Sequence, residues 1–96
     1  MTANFRHVVI FRFYPVVDDD TRAEVVQRLR SFSSYPGVLE WGVEGSLDTR
    51  KGQVLFQTGL FDSRESFEAY TASPEHTEVA HVMSSVADWY VADYFE

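Results

Sequence analysis

The chain predicts an α+β domain: a four-stranded antiparallel sheet with helices packed on one face. Three observations carry this. The hydrophobic periodicity switches between two and 3.6 residues in the order strand, helix, strand, strand, helix, strand, the split βαβ pattern. The first strand is apolar on both faces, so each needs a cover. And 96 residues, 45% of them hydrophobic and 16% aromatic, suffice for one core but not two. A single domain over residues 1–96 is expected, without repeats, low-complexity tracts or linkers.

The first strand is "FRHVVIFRF". One face carries Phe5, His7, Val9, Phe11 and Phe13, and the other Arg6, Val8, Ile10 and Arg12. "YPVVDDD" ends it. Asp20 or Thr21 is the expected cap of the first helix, with Glu24 completing a capping box and Val25, Val26, Leu29 and Phe32 at helical spacing. The triple aspartate 18–20 needs no metal to explain it, because acids at a helix N-terminus complement the macrodipole. Adjacent carboxylates also fail to supply the converging oxygens that a hard cation takes.

"SSYPGV" ends that helix, and "VLEWGVEGSL" reads as a half-exposed strand with Leu39, Trp41 and Val43 opposed to Glu40 and Glu44. After the turn "DTRKG", "QVLFQTGLF" is the third strand. Asp62 is placed as the cap of a short helix carrying Phe67 and Tyr70 on one side. "SPEH" restarts helix with Ser73 as N-cap, Pro74 at the first position and Glu75 at the positive end of the dipole. "WYVADYF" closes the chain as the fourth strand, with Trp89, Val91 and Phe95 on one face and Tyr90, Ala92 and Tyr94 on the other. The sheet face away from the helices then holds Val8, Ile10 and the tyrosines, an apolar patch that a second copy is expected to cover.

Composition excludes several functions. The net charge is −7 and the arginines near Arg22, Arg28 and Arg30 are interspersed with acids, so nucleic acid is not an expected partner. There is no cysteine, hence no disulfide, thiol nucleophile or thiolate metal site. No apolar run approaches the ~18 residues of a membrane span, and no secretory leader pattern opens the chain. A soluble, cytoplasmic protein is expected, with no membrane partner. Nucleophile-elbow, phosphate-loop, HExxH and paired-carboxylate patterns are all missing, and no metal or cofactor is expected.

The chemistry-bearing residues converge elsewhere. With Ser73 as cap, His76 lies in the first helical turn and shares a face with Val79, Ala80 and Met83, pointing inward. His81 falls on a solvated stripe with Thr77, Glu78 and Ser85. Tyr70 follows Phe67 on the inward side of the preceding helix, and His7 sits mid-strand on the face given to the helices. A histidine at the positive end of a helix dipole favours its neutral form, able to act as a base. A nearby phenol can donate to a developing oxyanion. Packing alone also accounts for each of the three residues taken singly.

"FRHVVIFRF", "YPGVLEWGVEG", "LFDSRESFEAYTASPEHTEVAHVM" and "VADYFE" together resemble the stress-responsive A/B barrel (Dabb) domain family over almost the whole chain. The resemblance implies a ferredoxin-like βαββαβ subunit that pairs through its sheet into a dimeric α/β barrel. A plant member closes a linear polyketide by aldol condensation with a histidine base and a tyrosine. Carried over, these correspond to His76 and Tyr70, and a pocket histidine of its first strand to His7. The family's HPxH appears here as Ser73-Pro74-Glu75-His76, which keeps the proposed base. Where that cyclase has a histidine in strand three, this chain has Leu55, which implies a more apolar pocket and a different substrate. The expected function is therefore a homodimer binding a small apolar carbonyl compound, with cofactor-free proton transfer or aldol cyclisation by His76, Tyr70 and His7. The alternatives are a non-catalytic, stress-associated binding or assembly module, and a cofactor-free monooxygenase of the related dimeric barrel type.

Overall fold

The structure, a computed structural model, describes residues 3–96; Met1 and Thr2 of the expected domain lie outside the described residues. Strand β1 (Phe5–Phe13) leads to helix α1 (Asp19–Arg30), a 3₁₀ turn (Ser31–Ser34) and strand β2 (Val38–Gly45). Strand β3 (Val54–Phe61), helix α2 (Arg64–Ala72), helix α3 (Pro74–Val86) and strand β4 (Ala87–Phe95) follow. The four strands form one sheet in the order β2-β3-β1-β4, with every neighbouring pair antiparallel. This is the ferredoxin-like α+β arrangement that the element order predicts.

β1 takes a central place because both its faces are apolar. Phe5, His7, Val9, Phe11 and Phe13 are buried toward the helices. In register on β4 stand Phe95, Asp93, Val91, Trp89 and Ala87. The other face is left open, and across it Phe56, Ile10 and Tyr90 stand in one row, 38%, 48% and 80% exposed.

Each helix begins at a side-chain cap, though two caps differ from the sequence reading. For α1 the cap is Asp18, whose carboxylate accepts from the Thr21 amide at 2.8 Å, not Asp20 or Thr21. The extended backbone that an N-cap needs is met at Asp18, so Asp19 and Asp20 become the first helical residues. For α2 the cap is Ser63, which accepts from the Ser66 amide, while Asp62 bonds the Ser66 hydroxyl instead. For α3 the cap is Ser73, as the sequence predicts, with Pro74 following it.

β2 also departs from strict alternation. Its register with β3 shifts between Val38 and Glu40, a bulge that leaves Leu39 out of the ladder and 55% exposed. Val38, Trp41 and Val43 therefore face the helices, and Leu39 does not. Trp41 packs its indole closely against Gly59, where an added Cβ would come within 2.6 Å of the ring. Its indole N–H donates to the Leu29 carbonyl at 2.9 Å, which ties β2 to the end of α1.

The core has two clusters. One gathers Val9, Phe11, Val25, Leu29, Val43, Leu55 and Met83, and the other Phe5, Phe32, Phe61 and Tyr70. A cavity opens between them.

Candidate active site

The site is built at the corner between α2 and α3. Ser73 makes that corner: its backbone is extended (φ −69°, ψ 149°), its hydroxyl donates to the Tyr70 carbonyl at 2.7 Å, and the same oxygen accepts from the His76 amide at 3.1 Å. One serine thus closes the last turn of α2 and opens α3. The result sets the Tyr70 and His76 rings edge to face with centroids 4.7 Å apart.

Below them is a cavity of about 250 Å³. His7, Tyr70 and His76 all line it, with Val9, Met83 and Trp89 among its apolar walls. The His7 ring, from β1, lies 6.4 Å from Tyr70 and 4.8 Å from Phe67 between centroids. Val79, Ala80 and Met83 share the cavity wall with His76, as the helical spacing predicts, and His81 is exposed.

Two polar residues join this group that the sequence reading passes over. Asp93 of β4 is cross-strand from His7, and its Oδ1 lies 2.6 Å from His7 Nδ1. An ionised carboxylate only accepts, so Nδ1–H is the donor, which fixes the ring and leaves Nε2 as the free nitrogen when the imidazole is neutral. Gln57 of β3 is the second, 2% exposed and part of the cavity wall. Both positions were visible as polar interruptions of an inward face: Asp93 between Val91 and Phe95, and Gln57 between Leu55 and Gly59. The expectation that Leu55 sets the strand-three side of the pocket is corrected here. Leu55 is buried in the first core cluster and is not part of the wall, so the polar group β3 contributes is the Gln57 amide two residues on.

Electrostatics divide the roles. Burial raises the Tyr70 phenol well above its ordinary value, the Gln57 side chain beside it opposes this, and Tyr35 adds to it. Tyr70 is therefore a protonated donor at any physiological pH. Burial lowers the His76 imidazole, the nearby His7 lowers it further, and the Thr71 backbone opposes them. His76 is thus held toward its neutral, proton-accepting form. Among the described residues no group of three or more His, Asp or Glu side chains is placed to hold a metal ion.

The stress-responsive A/B barrel domain model matches residues 5–96. The chain belongs to the Dabb family. No curated protein matches it by sequence. Among solved structures, a dimeric ferredoxin-like protein of unknown function from Thermobifida fusca is similar at TM-score 0.88 and 17% identity, over 100% of this chain and 93% of that one. Hydroxynitrile lyase from Passiflora edulis gives 0.87 and 18%, over 100% of this chain and 95% of that one. SnoaB, a cofactor-independent oxygenase from Streptomyces nogalater, gives 0.80 and 14%, over 97% of this chain and 92% of that one. At such identities the likeness shows a shared fold, and fold alone does not fix chemistry.

Proposed function

We propose that this Dabb domain is a homodimer, paired through the open sheet face, whose cavity binds a small, largely apolar carbonyl compound and moves a proton without a cofactor. His76 is the base. It takes a proton from the carbon alpha to the carbonyl; the electron pair of that C–H bond becomes an enolate, and the Tyr70 hydroxyl donates to the enolate oxygen. The imidazolium then returns its proton to carbon, or the enolate carbon attacks a second carbonyl of the same substrate and the alkoxide so formed takes the imidazolium's proton. His7, fixed by Asp93, orients the bound molecule.

The observation that carries this reading is that the Tyr70 and His76 rings stand edge to face, 4.7 Å apart between centroids, on the wall of one cavity, where burial favours the protonated phenol and the neutral imidazole. That is the division of labour enolisation requires: a donor at oxygen and an acceptor at carbon. Apolar walls suit the ligand class, and two proteins of similar fold are enzymes, one a hydroxynitrile lyase and one a cofactor-independent oxygenase. The dimer is supported by the exposed row Phe56, Ile10 and Tyr90 and by dimeric proteins of the same fold.

Solvent-deuterium exchange tests the reaction. An aryl alkyl ketone in D₂O should exchange its alpha protons faster with the protein than without, and His76→Ala should reduce the enzymatic rate by about 10²–10⁴-fold while the circular dichroism spectrum is unchanged. Exchange at the background rate with folded wild type leaves a binding or assembly module. Oxygen uptake with a phenolic substrate would instead favour the oxygenase reading.

A further inference from the structure

His7 and Asp93 form a pair whose chemistry the proton transfer assigned to His76 leaves unused. Asp93 Oδ1 lies 2.6 Å from His7 Nδ1 across the β1–β4 ladder, with the His7 side chain 7% exposed and that of Asp93 29%. Among the described residues Asp93 is the only carboxylate on the cavity wall, so His76 has no such partner. The two imidazoles of the cavity are therefore equipped for different tasks.

Nδ1–H donates to the carboxylate, which leaves the lone pair on Nε2. Nε2 bonds no protein group, and the one side-chain polar atom sealed without a partner among the described residues is Gln57 Oε1, so Nε2 opens to the cavity. A carboxylate behind such a ring holds its tautomer and balances the charge when a proton arrives, the arrangement that activates an O–H nucleophile. The wall offers no serine or cysteine among the described residues, and its one aliphatic hydroxyl, Thr71 Oγ1, already donates to the Glu68 carbonyl. Water is then the nucleophile.

We infer that this cavity also hydrolyses small, apolar carboxylic esters, with His7 as general base and Asp93 as its positioning residue. His7 Nε2 takes a proton from a water molecule as the water oxygen bonds to the ester carbon. The C=O electron pair moves to the oxygen, and the Tyr70 hydroxyl donates to that oxyanion. The intermediate collapses and the C–O bond to the alcohol breaks. The imidazolium gives its proton to the departing alkoxide, or to solvent where the leaving group is a stable phenolate. This rests on the reading that a carbonyl group binds at Tyr70, and not on enolisation by His76.

The probe is 4-nitrophenyl pivalate, which has no alpha hydrogen and so gives His76 nothing to enolise. Wild type should release nitrophenolate with turnover, without an acyl adduct in the intact mass, and propiophenone should inhibit competitively. His7→Gln should lower kcat by about 10²–10⁴-fold. In Asp93→Asn the new amide can donate to Nδ1 and turn Nε2 into a donor; kcat should fall by about 10²-fold or more, with KM and the inhibition by propiophenone unchanged. Asp93 is partly exposed, so this variant decides if His7→Gln does not fold. No hydrolysis by folded wild type, an acyl adduct, hydrolysis that survives either substitution, or hydrolysis that propiophenone does not inhibit overturns the inference. A rise in KM together with lost inhibition in Asp93→Asn overturns the positioning role, because Asp93 then only builds the cavity. Alpha-proton exchange with a ketone is measured separately, so either activity can fail without the other.

Discussion

His76 titrates below the ordinary imidazole value because burial and His7 both disfavour its charged form. The rate of alpha-proton exchange should therefore rise with pH through an inflection below about 6.5 and stay level above it, since the neutral ring is the active one. The same shift has a sign for stability. Between the ordinary histidine value and the lower folded one, the unfolded chain binds the proton and the folded chain does not, so this residue's contribution falls as pH drops through that window and levels off below it. Histidine C2–H NMR shifts in wild type and His76→Ala report both. At Tyr70, removal of the hydroxyl alone separates chemistry from packing. Tyr70→Phe keeps the ring among Phe32, Trp41 and Phe61 and should lower exchange by about 10²-fold, the scale of one oxyanion donor. Loss of fold together with activity would make the hydroxyl structural. These three side chains could be read from the sequence because helical spacing and strand alternation each assign a face. Asp93 and Gln57 could not be assigned roles the same way: their partners lie on other strands or across the cavity, and pairing register is absent from a single strand's pattern.

At the scale of elements, the corner at Ser73 governs the site, because one hydroxyl bonds Tyr70 and His76 backbone groups at once. Ser73→Ala should cost about 1 kcal/mol as a lost N-cap, or roughly 4–8 °C in melting temperature for a domain of this size. It should also reduce exchange more than a substitution of similar cost far from the cavity; an equal activity at the lower stability would show that the corner only folds the chain. Asp18→Ala is the useful control, because it removes the N-cap of α1 at a similar cost and Asp18 is not part of the cavity wall. Element order, strand faces and the Ser73 cap were all legible, since caps and periodicity are local signals. The α1 and α2 caps moved by one to three residues because neighbouring Asp, Ser and Thr compete on nearly equal terms, and tertiary packing chooses among them. Leu39 was misplaced for a related reason: a bulge resets the two-residue period, and nothing in "VLEWGVEG" announces it.

For the whole molecule, the open sheet face and the cavity lie on opposite sides of one sheet. β1 serves both, offering Ile10 to one and His7 to the other. Replacing the most exposed member of the apolar row, Tyr90→Glu, should convert a dimer to monomer in sedimentation velocity and leave the monomer's cavity lined as before; a wild-type monomer at micromolar concentration would contradict the pairing. The most direct test of the central claim is a crystal structure of the protein soaked with a small aryl ketone. The account predicts electron density in the cavity of about 250 Å³, with the carbonyl oxygen at hydrogen-bond distance from the Tyr70 hydroxyl and the alpha carbon turned to His76. An empty, collapsed cavity, or a ketone bound only on the outer surface, would contradict it.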